Sequence, residues 1–464
     1  MSIGRQDNPA GHWFNRILAV FAAAVLLLGT TPASAQRISP LGDRHDWSEL
    51  DTFQGTMSRA EFECLLLTIY APTGGWDAYI KIEDERAKLV TDSKNPDKIY
   101  ELRFIPNVPP IAPDARAVID LMRSAGFVQH DVPGVPSKNF WRTRGAIGKQ
   151  REKAPPPKGR PLEGLRVALD PGHLGGEWAR MEERWFQIGD APPVKEGEMT
   201  LAVANLIAPR LEALGATVLW VRREIGPVTA ARPDKMIDTA RDSLVERGVT
   251  DAKDTYSGPG DPEREKSVQW EAEKLFYRIS EIRTRARLVN DVLRPDVTLC
   301  LHFNAEDWGD PAKPALVEKN HLHMLVSGNY GPPELRYDDV RFEMLLRLLS
   351  RVHEEEIPLA GAVGGALAAA TGLPPYEYTD NRAIRVGPSP YTWARNLLAN
   401  RLYRCPVIYC EPYVMNSPDV FARVQAGDYE GLREVAGKMR PSIVREYADA
   451  VIVGLLNAYG STEK

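Results

Sequence analysis

The chain has 464 residues, 43% of them hydrophobic and 26% charged, with a formal net charge of −5. These are the values of a globular protein long enough for two or three domains. An acidic balance with no basic face excludes a nucleic-acid binder.

Elements follow in chain order. Residues 1–35 read as a leader: Arg5 and Arg16 are its basic part, Ile17 to Leu28 its apolar run, and Ala33-Ser34-Ala35 its small-residue cleavage site. The run is short for a bilayer span. Cleavage after Ala35 would free Gln36 and send a soluble chain, with no remaining membrane span, to the periplasm. Residues 36–145 read as a small α+β unit. "SRAEFECLLLTIYAP" has helical spacing, "WDAYIKIEDERAKLV" and "KIYELRFIP" alternate like strands, and "PDARAVIDLMRSAG" reads as a helix stopped at Gly126. This unit shows no catalytic constellation. The basic, proline-rich stretch over 146–162 is nearly devoid of apolar residues and reads as a linker.

Residues 163–464 alternate strands and helices. Strands are expected at Leu165–Leu169, Thr217–Val221, Val297–Phe303, His321–Val326 and Val407–Cys410. Helices are expected at Met199–Leu214, Arg264–Leu293, Val340–His353, Leu359–Ala370 and Pro441–Ala458. That order predicts an α/β fold, a mostly parallel sheet flanked by helices, with the small α+β unit ahead of it. An insert of about 224–281 leaves the strand ending at Val221 and carries its own helical pattern. It is expected to wall or cover whatever site lies at that sheet edge. The four cysteines, Cys64, Cys300, Cys405 and Cys410, include no CxxC pair and make no disulfide framework. Cys300 and Cys410 fall inside apolar strand runs and read as buried small residues.

Ligands of such sheets sit beyond the carboxyl ends of the strands, and chemistry-bearing residues collect there. His173 follows "LRVALDPG", His302 ends "VTLCL", and Glu411 ends "PVIYC". Glu196, in the loop "PVKEGEMTL", can reach the same edge, with Glu198 as its competitor. Two histidines and a carboxylate are the usual ligand set of a catalytic zinc, and the carboxylate left over can act as general base. His321 and His323 alternate on one face of "NHLHMLVSG" and read as a surface strand. "HEEEIPL" from His353, broken by Pro358, reads as a solvated acidic face.

These pieces resemble the zinc-dependent N-acetylmuramoyl-L-alanine amidases, in the type 3 catalytic domain with its phosphorylase/hydrolase-like fold. "VALDPGH" looks like the first-strand signature, with His173 at the first zinc ligand. The five-residue spacing of Glu196 and Leu201 matches the second ligand and favours Glu196 over Glu198. "RARLVNDVLRPDVTLCLHFNA" is similar to the segment bearing the second zinc histidine, His302, and "PVIYCEPYVMNS" to the strand bearing the catalytic Glu411. The resemblance covers most of residues 165–460. Three features depart from it: Val221-Arg222 stands for a Thr-Arg pair, Pro412 follows the glutamate, and Asn416 lies one position closer to it. The resemblance implies a Zn2+ cofactor, peptidoglycan as partner, and cleavage of the amide between N-acetylmuramic acid and L-alanine of the stem peptide. Two alternatives stand beside it: a zinc peptidase cutting within the stem peptide, and a non-catalytic wall-binding or regulatory protein on the same scaffold.

Overall fold

The computed structural model describes residues 37–105, 139–310 and 313–460. The expected leader and the expected helix over 113–126 lie outside them. The first strands are β1 (Ile80–Ile82), β2 (Arg86–Val90) and β3 (Ile99–Arg103), an antiparallel meander. The main sheet draws on β4 (Arg166–Pro171), β7 (Thr217–Trp220), β8 (Val297–Leu301), β9 (Leu322–Val326), β10 (Ile384–Arg385), β11 (Thr392–Ala394) and β12 (Val407–Pro412). A two-stranded ribbon, β5 (Trp185–Phe186) with β6 (Val194–Lys195), stands between β4 and β7 in the chain.

The seven strands lie in the order β10-β11-β9-β12-β8-β4-β7. β12, β8, β4 and β7 run parallel as neighbours, β9 is antiparallel to β12, β11 follows β9, and β10 turns back. Mostly parallel sheets bury both faces, so their strands read as unbroken apolar runs. Successive residues here feed two separate cores. Val167 and Leu169, Leu299 and Leu301, and Ile408 and Cys410 enter the larger one. Ala168, Cys300 and Val407 enter a second, together with Tyr403 and Val352. Helices Glu196–Ala213, His353–Thr371 and Ile443–Tyr459 pack over the larger core. Truncating one of its leucines to alanine would cost about 2–5 kcal/mol.

Among the described residues, the N-terminal strands and helices share the larger core rather than forming a separate one. Ser58 caps the helix Arg59–Leu65, which continues through Leu66–Tyr70. Trp47, Phe62, Tyr70 and Leu102 belong to the same cluster as Val167 and Leu299. The Tyr70 hydroxyl donates to the Arg347 carbonyl at 3.1 Å, and Arg341 donates to the Val90 carbonyl at 3.0 Å.

The stretch expected as a linker opens instead as a helix, Arg144–Lys153, capped by the Thr143 side chain and burying Ile147. Composition hid it, because its anchors are polar. Arg144 pairs with Glu355 at 2.9 Å, and Arg142 and Arg166 both grip the buried Asp296. The four cysteines are free and buried.

The acidic face expected at "HEEEIPL" is a second correction. Those residues begin the helix His353–Thr371, and Glu355 and Glu356 are buried. His321 and His323 are buried as well, because β9 is a central strand rather than a surface one.

Candidate metal centre

Four parallel neighbours deliver their carboxyl ends to one edge, and β4 and β8 each carry a histidine just past that end. His173 sits two residues beyond β4 with φ +62°, a left-handed backbone that few side chains adopt without compensation. The compensation is a set of clamps on its loop. Arg285 donates to the Pro171 carbonyl at 3.0 Å, the His173 carbonyl at 3.0 Å and the Asp170 carboxylate at 2.8 Å. Arg222 donates to the Pro171 carbonyl at 3.0 Å and to the Gly197 carbonyl at 2.8 Å. The arginine of Val221-Arg222 thus ties the His173 loop to the start of the helix that carries Glu196.

His302 follows β8 and is held from three sides. Its ring stacks on Tyr409 at 4.3 Å, the Tyr447 hydroxyl donates to its carbonyl at 3.1 Å, and Gly172 lies against the ring. A Cβ on Gly172 would fall 2.1 Å from the imidazole, so glycine is required there by contact alone.

Glu196 is the first residue of the helix Glu196–Ala213, where the helix dipole favours an acid. Its two oxygens face the two imidazoles: Oε1 stands 3.1 Å from His302 Nδ1, and Oε2 stands 3.1 Å from His173 Nε2. The Phe303 backbone N–H also donates to Oε1 at 3.1 Å. Glu198 points elsewhere, pairing with Lys195 at 2.9 Å and accepting from Gly176 N–H at 3.2 Å.

One donor atom from each of His173, Glu196 and His302 lies within 4.8 Å of the others. Ligand atoms of a tetrahedral zinc site stand about 3.3 Å apart, so the set fits a first-row dication in type and spacing. Glu182, which the sequence did not mark, accepts from Leu174 N–H at 2.9 Å and lies 3.3 Å from His173 Nδ1. It fixes the ring so that Nε2 faces Glu196, as carboxylates behind metal-binding histidines do. Arg184, also unmarked, brings Nε to 3.2 Å from Glu196 Oε2 and 3.3 Å from His173 Nε2.

Each charge in the cluster sets the protonation of its neighbours. Burial works against ionising Glu196, but the two imidazoles outweigh it and hold its carboxyl far below the usual range. Burial lowers His302 to about 4. Burial also lowers His173, but Glu196 and Glu182 outweigh this and hold it above the ordinary value. Glu411, at the end of β12, goes the other way: burial first, then the Glu196 charge, push it up to about 8. Pro412 and Tyr413 after it share a tight backbone, with φ +58° at Tyr413, and the Asn304 N–H donates to the Tyr413 carbonyl at 2.8 Å. Asn416 closes the far side through hydrogen bonds of 3.1 and 3.0 Å to the backbone of Glu306.

These residues line one cleft of about 990 Å³, which contains His173, Glu196, His302 and Glu411. The 224–281 insert contributes to its wall through Tyr256, Pro259 and Arg264, the last paired with Glu183 at 2.7 Å. The insert has a small core of its own, in which Met236, Leu244 and Phe276 pack with Leu174 from the His173 loop.

No family model and no curated protein matches the chain. Solved structures similar to it are N-acetylmuramoyl-L-alanine amidases. The enzyme from Mycobacterium abscessus is 16% identical over 64% of this chain and 99% of its own, with a TM-score of 0.34. The one from Mycobacterium smegmatis is 18% identical over 65% and 99%, with a TM-score of 0.34. The one from Nostoc punctiforme is 14% identical over 64% and 97%, with a TM-score of 0.33. At these scores, fold and chemistry rest on the chain's own sheet and side chains.

Proposed function

We propose that the protein is a zinc-dependent peptidoglycan hydrolase that cleaves the amide between N-acetylmuramic acid and the L-alanine of the stem peptide. The observation that carries this reading is the pairing of a His173–Glu196–His302 donor set with a separate carboxyl, Glu411, in one cleft. Held by those three residues, a zinc ion would supply Lewis acidity, polarising the scissile carbonyl and acidifying water to a pKa of about 7.

The protein's own groups do the rest. Glu182 holds His173 by Nδ1, at 3.3 Å, and leaves Nε2 toward the place where the ion would sit. Burial and the Glu196 charge raise the Glu411 carboxyl above the ordinary carboxylate range, and beside a zinc ion it would return toward the carboxylate that acts as base. Glu411 takes a proton from the attacking water and returns one to the leaving amine, so both proton transfers pass through one carboxyl. Buried Phe303 and half-buried Tyr409 in the walls around it limit the water that can compete.

Export fits the substrate. The leader read at residues 1–35 would carry the chain to the periplasm, and no helix among the described residues is long and apolar enough to cross a membrane. The test is digestion of purified peptidoglycan by the mature, zinc-loaded chain, followed by mass spectrometry. Free peptides that begin with L-alanine are expected. Fragments cut between later residues of the stem would instead assign a peptidase.

A further inference from the structure

The cleft extends past Glu411 toward β9 and the loop before β10, where His323, Tyr376, Tyr378 and Arg395 line it. Glu411 and His323 are direct partners in the antiparallel pairing of β12 with β9. Partners in such a pair project side by side from one face of the sheet. A hydrogen-bonded chain runs outward from His323: its Nε2 lies 3.2 Å from the Tyr378 hydroxyl, and Arg395 Nη1 donates to that hydroxyl at 3.3 Å. Burial holds His323 neutral, at about 3, and the Tyr378 hydroxyl bridges its Nε2 to Arg395.

The guanidinium at the end of this chain is unusual within the cleft. Arg184, Arg264 and Arg382 spend their charges on Glu196, Glu183 and Asp380. Arg180 lies over the Trp185 ring at 3.9 Å. Among the described residues, Arg395 has no carboxylate within ion-pair distance, and its only side-chain hydrogen bond is to Tyr378. His323 Nδ1, in the same wall, is buried without a partner. A guanidinium that faces a cleft with no carboxylate in ion-pair contact is the geometry that reads a carboxylate through paired N–H donors. The same cleft also carries aromatic rings: Phe186 and Trp308 stand 5.3 Å apart beside Trp185, apolar faces suited to the C–H faces of a sugar.

We propose that Arg395, positioned by Tyr378 and His323, anchors a carboxylate-binding subsite for the peptide on the leaving side of the scissile amide. This rests on the amidase reading, and it orients the substrate with its sugar toward Trp185 and Trp308 and its acidic peptide toward β9. The subsite neutralises a carboxylate that would otherwise meet Glu411 unshielded, and it selects stems whose acidic groups are free over stems whose groups are amidated.

The experiment measures binding, so it does not depend on turnover. L-Ala-D-Glu and the same dipeptide with both glutamyl carboxyls converted to carboxamides are titrated calorimetrically into the zinc-loaded mature protein and into Arg395→Gln. The wild type should bind the acid about ten- to a hundred-fold more tightly than the diamide, the range of a hydrogen-bonded charge. Arg395→Gln should cut that preference to about two-fold while keeping its zinc. Arg395→Lys should keep part of it, since charge remains and the fork is lost. Equal binding of acid and diamide by the wild type overturns the proposal whatever the variants do. So does a preference that survives in Arg395→Gln, because that preference would arise at the metal. If instead the peptidoglycan digest yields no L-alanine-terminated peptides, the amidase reading fails on its own test.

Discussion

Two of the buried carboxylate clusters among the described residues differ in build: one opens on a cleft and the other is closed by protein. At the sheet edge, both oxygens of Glu196 face imidazoles across an open cleft, and Glu411 stands beside them without an ion pair. At the start of the helix His353–Thr371, Glu355 and Glu356 are buried and Glu354 is half-buried. Glu356 pairs with Arg347 and accepts from the backbone N–H groups of Val407 and Ser327 at 2.8 and 3.2 Å. Glu355 takes Arg144 at 2.9 Å, and Glu354 takes Arg351 at 3.3 Å. Burial and charge are common to both clusters. Both clusters have an arginine and backbone donors, and the difference is what else faces the carboxylates: protein covers the second cluster, while two imidazoles and an open cleft leave the first accessible to a ligand.

The largest expected effect lies in the first cluster. Glu411→Gln should lose on the order of 10²–10⁴-fold in kcat/KM while retaining zinc, measured on a soluble muropeptide beside metal analysis. Near-normal turnover would remove Glu411 from the mechanism. Next comes Glu182→Gln, which keeps the shape behind His173 but weakens its support. Zinc affinity should fall about 10- to 100-fold, read by competition with a chelator. A smaller effect is expected from replacing residues 232–262 by a short Gly/Ser linker, which removes Tyr256 and Pro259 from the cleft wall. It should change the ratio of kcat/KM on cross-linked polymer to that on soluble muropeptide, and an unchanged ratio would make the insert a bystander.

The second cluster should respond with the opposite sign. Burial pushes Glu354 up to about 7 from an ordinary 4.5, against the pull of Arg351. Below pH 4.5 the group is protonated in the folded and unfolded chain alike and contributes nothing. Between 4.5 and 7 the folded chain keeps a proton that the unfolded chain has released, so stability falls as pH rises, and the deficit is complete above 7. Glu354→Gln should therefore stabilise the protein by about 1–2 kcal/mol at pH 8 and leave it unchanged at pH 4, followed by chemical denaturation at both pH values.

The contrast also marks what could be read from the sequence. His173, His302 and Glu411 were legible because each ends an apolar run, and a parallel sheet gathers such ends at one edge. Glu196 was legible as an acid at a helix start. Glu182, Arg184 and Arg395 carry no periodic signal, because loops bring them in from positions the strand pattern does not fix. "HEEE" misled for the converse reason. Three adjacent acids look solvated until Arg144, Arg347 and Arg351, all from other elements or turns, arrive to cover them. His321 and His323 misled because a central antiparallel strand shows the same alternation as a surface one.

The central claim is that His173, Glu196 and His302 form a single metal centre, and metal analysis of the purified mature chain tests it most directly. One zinc per chain is expected in the wild type and none in His173→Ala or His302→Ala, with both variants folded by circular dichroism. A full zinc equivalent in either variant would contradict the assignment.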